Sequence, residues 1–366
     1  MATIYDVARA ANVSPKTVSR VLNGDAPVGA ETRAAVEAVM AALGYVPSNA
    51  ARTLRSNRSG LVGLITGAIS LASDSLASEP SVPVGLPDLF IVQGIQAALA
   101  DSGMTLMIAD TGGQSDRVPH LIQTFLRHRV EGLIYVAERH QKVVLPRVPK
   151  SVHLVLANCY DDIGTPAILP DDQRGQRDLV NRLIAAGHRR IGYLALSDTT
   201  DAARLRGAGY RAALQAAGIV YDPALVQPGE LADREGESQL LWDSIERLLH
   251  LPEPPTVLCC GNDKMALRVY GILRSRGVKV PDDMSVAGYD NYRVIAETLY
   301  PPLTTVDLPY AAMGARAAQI LLSLMRGAPT AADAALNTVP GDVIWRASVT
   351  VRDPRIVPLQ SNRRNG

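Results

Sequence analysis

The chain carries almost no surplus charge. Its 37 Lys and Arg stand against 36 Asp and Glu, a formal net charge of +1 over 366 residues, so a polycation that coats nucleic acid or acidic membrane along its whole length is excluded. Cysteine is equally scarce. Cys159, Cys259 and Cys260 are the three present. Two are adjacent, and none has metal-ligand spacing with another Cys or with a His, so neither a disulfide framework nor a zinc site is expected. That usage fits a reducing cytoplasm. The start, Met1-Ala2-Thr3-Ile4-Tyr5-Asp6, lacks the basic-then-apolar pattern of an export signal. Ser59 to Ser73, the longest uncharged stretch near it, is too short and too rich in Gly and Ser to span a bilayer. No membrane partner is therefore expected. Enzyme signatures are also missing: no G-x-S-x-G, no H-E-x-x-H, no Walker loop and no G-x-G-x-x-G after a strand. The expectation is no catalytic residue, no metal and no cofactor. His120, His128, His140, His153, His188 and His250 are scattered and read as surface or packing residues.

What charge there is lies unevenly. Residues 1–59 hold seven basic side chains (Arg9, Lys16, Arg20, Arg33, Arg52, Arg55, Arg58) against four acids, a balance of +3, whereas the remainder is slightly acidic. A basic head on a near-neutral body suits a polyanion bound at one end. Thr3 and Asp6 form a T-x-x-D helix start, with Val7, Ala8 and Ala11 on an apolar side. Ser14 is a good N-cap and Pro15 a good first residue for a second helix. There Val18, Val21 and Leu22 face inward, and Lys16 and Arg20, four apart, share the exposed face. A third helix is predicted from Glu31 to Leu43, with Val36, Val39, Met40 and Leu43 inward and Gly44 as its stop.

Three short helices with a basic second one predict a helix-turn-helix over residues 1–46, its second helix entering the major groove of double-stranded DNA. Lys16 and Arg20 suit guanine O6 and N7, and Pro15 suits a thymine methyl. Thr3, Tyr5, Ser14, Thr17, Ser19 and Asn23 are short polar groups suited to phosphate oxygens. The runs YDVARAANVSPKTVSRVLNG and TRAAVEAVMAALGYVPSNAARTLRS resemble the N-terminal domain of the lac repressor (LacI/GalR) family of bacterial regulators.

Residues 47–59 then form a hinge or linker. Ser48 to Arg55 makes barely two helical turns, which are unstable alone in water. The resemblance implies that this segment folds when two copies meet in the minor groove, with Leu54 wedged into the central base step. Ala51 would permit close helix approach, and Asn49 and Arg52 would flank the groove. A plain flexible linker is the alternative, although Leu54 between Arg52 and Arg55 is a poor linker choice.

Beyond residue 60, strand-like runs (Leu61–Ile65, Thr105–Asp110, Gly132–Val136, Leu154–Asn158, Arg190–Leu196, Thr256–Cys260, Ser285–Tyr289) alternate with helical stretches. Such alternation predicts parallel sheets covered on both faces, here as two doubly wound lobes. Ligands bind such sheets at the carboxyl ends of strands, which singles out Asn158, Asn262, Asp263 and Asp290, with Arg206 opening the helix after the Arg190–Leu196 strand. The stretches GHRRIGYLAL, ARLRGAGY, GNDKMAL, VPDDMSVAGYDN, PPLTTVDLPYAAMG and VIWRASV resemble the same family's effector domain, which shares the periplasmic sugar-binding fold. The family pattern implies one lobe of about 60–169 plus 306–337 and another of about 170–305 plus 338–353, with a tail at 354–366. It places Asn158, Arg206, Asn262 and Asp290 in the cleft. Arg206 suits vicinal hydroxyls or a carboxylate and Asp290 a polyol, whereas Asp263 reads as a helix cap and Asn262 as ligand contact or turn-former. Two departures stand out. Ser70 to Pro87 replaces a short family turn and reads as a surface loop or a lid. The sugar-stacking aromatic expected near position 231 is Leu231, with Tyr310, Tyr289 or Tyr160 as substitutes.

The expected protein is a DNA-binding repressor, a homodimer on a palindromic operator, cytoplasmic and nucleoid-associated when bound. A small carbohydrate-like effector controls it through a coupling of about 1–3 kcal/mol. The tail has no leucine heptads, which argues against a tetramer. A solute-binding protein with no regulatory role, and a co-repressor-dependent regulator answering to a nucleobase or nucleoside, are the alternatives. Leu54→Ala is expected to weaken operator binding while leaving random-sequence DNA nearly untouched; equal losses in parallel titrations refute the wedge.

Overall fold

The computed structural model describes residues 2–23, 28–46, 58–67, 86–112, 114–230, 237–328, 330 and 336–352. The hinge residues Asn49, Ala51, Arg52 and Leu54, residues 70–85 of the inserted loop, Leu231 and the tail lie outside these.

The head is built from α1 (Ile4–Ala10), α2 (Pro15–Asn23) and α3 (Ala30–Ala42). A capping box starts α1, as the T-x-x-D spacing predicts: the Asp6 amide donates to Thr3 Oγ1 while the Thr3 amide donates to the Asp6 carboxylate. Val7, Ala8, Val18, Val21 and Val36 close the small core. Leu43 is a correction. It was expected to face inward, yet it is the cap residue after α3 and 42% exposed. The chain leaves the helix at Gly44, φ +58°, and folds back so that the Tyr45 amide reaches Met40 O and Tyr45 packs on the core.

The body begins with β1 (Leu61–Thr66), α4 (Leu86–Leu99), β2 (Thr105–Asp110), α5 (Val118–Arg127), β3 (Gly132–Lys142), β4 (His153–Tyr160) and β5 (Ala167–Pro170). It continues through α6 (Asp172–Ala185), β6 (Ile191–Ala195), α7 (Asp201–Ala216), β7 (Val226–Pro228), α8 (Glu237–Leu249), β8 (Val257–Cys260), α9 (Asp263–Ser275), β9 (Ser285–Asp290), α10 (Arg293–Ala296) and β10 (Thr304–Asp307). Last come α11 (Tyr310–Met325), β11 (Leu336–Val339) and β12 (Val343–Ile344). Among the described residues the strands make two sheets, ordered β11-β5-β4-β3-β1-β2 and β12-β10-β9-β8-β6-β7. All pairings are parallel except β12, which runs antiparallel beside β10.

The chain therefore leaves the first sheet after Pro170, returns after Asp307, and leaves again after Val339. The strands that periodicity overlooks, β5, β7, β10, β11 and β12, are two to four residues long. Runs that short show no alternation, and their neighbours supply the pairing that defines them. Two runs also extend two or more residues past their expected ends. β3 continues past Val136 to Lys142 across a register irregularity, and β4 continues past Asn158 to Tyr160.

Helix α11 returns from the second sheet to pack against α4 on the first. Glycine makes that approach possible. A Cβ on Gly94 would collide with the carbonyl oxygen of Ala311, and one on Gly314 with the carbonyl oxygen of Ile91. Gly94→Ala gains about 1 kcal/mol of helix propensity, but overpacking against rigid backbone costs about 1–3 kcal/mol. The variant is expected to unfold at lower denaturant concentration than wild type; an unchanged or higher midpoint contradicts the close approach.

Candidate nucleic-acid interface and effector cleft

The exposed side of α2 is polar. Val18 and Val21 anchor the inner side of α2, leaving Lys16 and Arg20 exposed on the outer side as their four-residue spacing predicts. Tyr5 of α1 is 66% exposed. Ser14 caps α2, accepting from the Thr17 amide at 3.1 Å, and its hydroxyl lies 2.9 Å from that of Thr17. Thr3 Oγ1 donates to Asp6 at 2.7 Å, holding the Asp6 carboxyl below the usual range. Pro15, Thr17 and Ser19 are half-buried. Asn23 is the last residue of α2; its side chain lies outside the description.

In the body, the carboxyl ends of β8 and β9 and the start of α6 converge on Arg206 of α7. This guanidinium is 4% exposed. Its Nε donates to Asp172 Oδ1 at 2.7 Å, its Nη1 donates to Gly261 O at 2.6 Å, and Nη1 lies 3.6 Å from Asp290 Oδ1. The Tyr289 ring stacks on it at 3.5 Å. A buried cation needs this much compensation, because desolvation opposes its charge and only close counter-charges restore it. Asp172 answers on both oxygens, with Oδ2 lying 2.7 Å from His140 Nδ1. Burial works against the Asp172 carboxylate, but Arg206 and His140 outweigh it and pull its pKa down. Asp290 goes the other way. Desolvation lifts it to about 6, since Arg206 offsets burial only partly and Asp172 adds repulsion.

A cavity of about 340 Å³ opens beside this pair, lined by Asp290, Tyr292, Asp307, Pro309 and Tyr310 of the second-sheet strand ends and α11, and by Phe90 of α4. The expected cleft residues thus divide. Asp290 and Tyr310 share the cavity, and Arg206 touches Asp290 from behind. Arg206 lies more than a turn inside α7, which starts at Asp201 behind the Thr200 cap, so it does not open that helix. Asn158, in β4 with φ +59°, is buried and its Nδ2 donates to Ala137 O at 3.0 Å, which ties down the irregular part of β3. Asn262 is the cap of α9, accepting from the Met265 amide at 2.8 Å. That corrects the reading of Asp263 as the cap: Asp263 accepts instead from the Tyr292 amide and the Thr305 hydroxyl, both at 2.7 Å. Of the three candidate stacking tyrosines, Tyr289 has a face against Arg206 and Tyr160 donates to Asp201, leaving Tyr310 on the cavity.

Sequence reasoning missed His140, Asp172, Phe90 and Asp307. His140 is 5% exposed and bonded to a carboxylate, and His188 is fully buried between Thr256 and Thr350. No local pattern pairs His140 with a partner 32 positions away.

A helix-turn-helix head on a two-lobed α/β body with a cavity at its strand ends defines a class in which a DNA reader is joined to a ligand-binding body. Residues 3–48 match the bacterial regulatory proteins of the lacI family, and residues 180–349 match the periplasmic binding protein-like domain. The ribose operon repressor of Escherichia coli (strain K12) is 32% identical over 326 residues, spanning 88% of this chain and 92% of that protein. The lac repressor dimer bound to operator and the anti-inducer ONPF superimposes with a TM-score of 0.72 at 26% identity, over 95% of this chain and 99% of that one. The regulator CelR in complex with cellobiose gives a TM-score of 0.63 at 28% identity, over 95% and 100%. The chain belongs to the LacI family of bacterial regulatory proteins and is a DNA-binding transcriptional regulator. No helix among the described residues is long and apolar enough to cross a membrane.

Asp290 yields a pH test. Its folded pKa of about 6 exceeds the ordinary 3.8, so the penalty for its charge is fully developed above the folded value and fades as pH falls towards the ordinary one. Asp290→Asn is expected to be more stable than wild type at pH 8 by up to about 3 kcal/mol, with the gap closing by about pH 4. A gap that does not change with pH rules this out.

Proposed function

We propose that this regulator represses transcription by gripping a palindromic operator as a homodimer, and that a small uncharged polyol in the cleft controls the grip. Tyr5, Ser14, Pro15, Lys16, Thr17, Ser19, Arg20 and Asn23 meet the operator from each head, with Thr3 nearby. Asn49, Ala51, Arg52 and Leu54 act in the minor groove. The body divides into a lobe on each sheet, and the effector sits between them. The protein works in the cytoplasm, on the nucleoid when bound.

The observation that carries this reading is the cavity holding Asp290 and Tyr310 beside Arg206. A carboxylate accepts from two hydroxyls and an aromatic ring covers a sugar face, which is polyol chemistry. Arg206 is already matched by Asp172 and Asp290. The site therefore offers little free positive charge to an anionic effector. Ribose and cellobiose, the sugars associated with the similar ribose operon repressor and CelR, head the candidates. Asn158 and Asn262 complete the proposed effector contacts.

The test is a thermal-shift screen of the full chain with ribose, cellobiose, polyols, sugar acids and nucleosides. A true effector at 100-fold its Kd adds about 2.7 kcal/mol of stability. That gain is expected to disappear in Asp290→Ala and in Arg206→Ala. Stabilisation that survives both substitutions refutes the site.

A further inference from the structure

The extended ends of β3 and β4 reach from the first sheet to elements of the second. Arg139 Nη2 lies 3.8 Å from Glu230 Oε1, His140 Nδ1 lies 2.7 Å from Asp172 Oδ2, and Tyr160 donates to Asp201 Oδ2 at 2.8 Å. These contacts are unequal. The Arg139 and Glu230 side chains are 32% and 18% exposed, and such a long, wet pair contributes little. His140 and Asp172 are 5% and 0% exposed. A buried carboxylate stripped of a partner is strongly disfavoured, so among these polar contacts from β3 and β4 the hold is concentrated in His140.

Asp172 also seats Arg206 through its other oxygen. We propose that His140 is a positioning residue, clasping the first lobe onto Asp172 of the second and thereby fixing the Arg206 guanidinium, so that lobe closure and presentation of this arginine are one event. When the lobes part, Oδ2 of Asp172 loses its partner and takes up water. The carboxylate is then free to rotate, and the Arg206 Nε–H loses its fixed acceptor. His140 thus acts on the effector site through two other side chains without facing the cavity. Its importance for effector binding rests on the proposed role of Arg206; the clasp itself is open to test with no effector present.

The experiment uses the full-length protein with nitroxide labels at Val144→Cys and Val220→Cys, positions 93% and 87% exposed on the first and second lobes. The native cysteines are buried, and burial lifts the Cys159 and Cys259 thiols to about 12, so they stay unlabelled. Two readouts are taken: the distance distribution between labels by electron–electron double resonance, and hydrogen exchange at Arg206 Nε by NMR, assigned with Arg206→Lys. His140→Phe fills the ring volume without a polar nitrogen. It is expected to add a second distance population and to speed the Arg206 exchange by about tenfold or more. His140→Asn places an amide nitrogen at the imidazole Nδ1 position and is expected to restore both readouts. Should His140→Phe not fold, His140→Ser carries the same expectation. Tyr160→Phe removes only the outer hydrogen bond and is expected to leave Arg206 exchange at the wild-type rate. Wild-type behaviour of a folded His140→Phe or His140→Ser overturns the proposal. So does failure of a folded His140→Asn to restore, or acceleration by Tyr160→Phe equal to that of His140→Phe.

Discussion

The ion pair between Asp172 and Arg206 is the constraint around which the effector half of this molecule is arranged. Neither group tolerates burial alone. Together they fix the first turn of α6, the middle of α7, the Gly261 carbonyl after β8 and the Tyr289 ring at the end of β9. These elements come from distant parts of the chain, and the cavity exists where they meet. Asp290 stands beside the pair without being fully neutralised by it, and its raised pKa is the residual cost of that placement.

The surrounding scaffold is stiff where this pair needs it to be. Apolar residues of both sheets and of α4, α6, α7 and α11 form one continuous core. Separate clusters cover the outer faces, with α5 on the first sheet and α8 and α9 on the second. Gly94 and Gly314 bring the backbones of α4 and α11 together beside Phe90 and Tyr310, so two walls of the cavity belong to one tightly packed unit. A ligand gripped by those walls and by Asp290 touches both lobes. Signal transfer of this kind requires two states that differ in their contacts, and the polar contacts from β3 and β4 are the part of the structure best suited to make or break.

Much of the architecture was legible in the chain because it is written in local patterns. The T-x-x-D start of α1, Ser14-Pro15 at α2 and the four-residue spacing of Lys16 and Arg20 each involve neighbours within one helical turn. Strands such as Thr105–Asp110 announce themselves as apolar runs between glycine stops. Strand-end positions put Asp290 and Arg206 forward, and the resemblance to a regulator family assigned them to the cleft and offered Tyr310 as a stacking ring. Asn262 caps α9, in keeping with its turn-forming reading, and Asn158 donates to Ala137 O, a partner that no local pattern supplies. Leu43 was lost because continuing a periodicity does not reveal where the backbone turns.

The sequence by itself determined the basic helix-turn-helix, the alternation of strands and helices that forces two covered parallel sheets, and the residue types at the strand ends. The tertiary structure alone decided which of those side chains meet. His140 and Asp172 lie on different lobes and share no motif, yet each is buried against the other. Desolvation is the reason: it acts on groups according to their position in space, and a buried charge takes whatever partner the packed chain delivers, however far away in sequence.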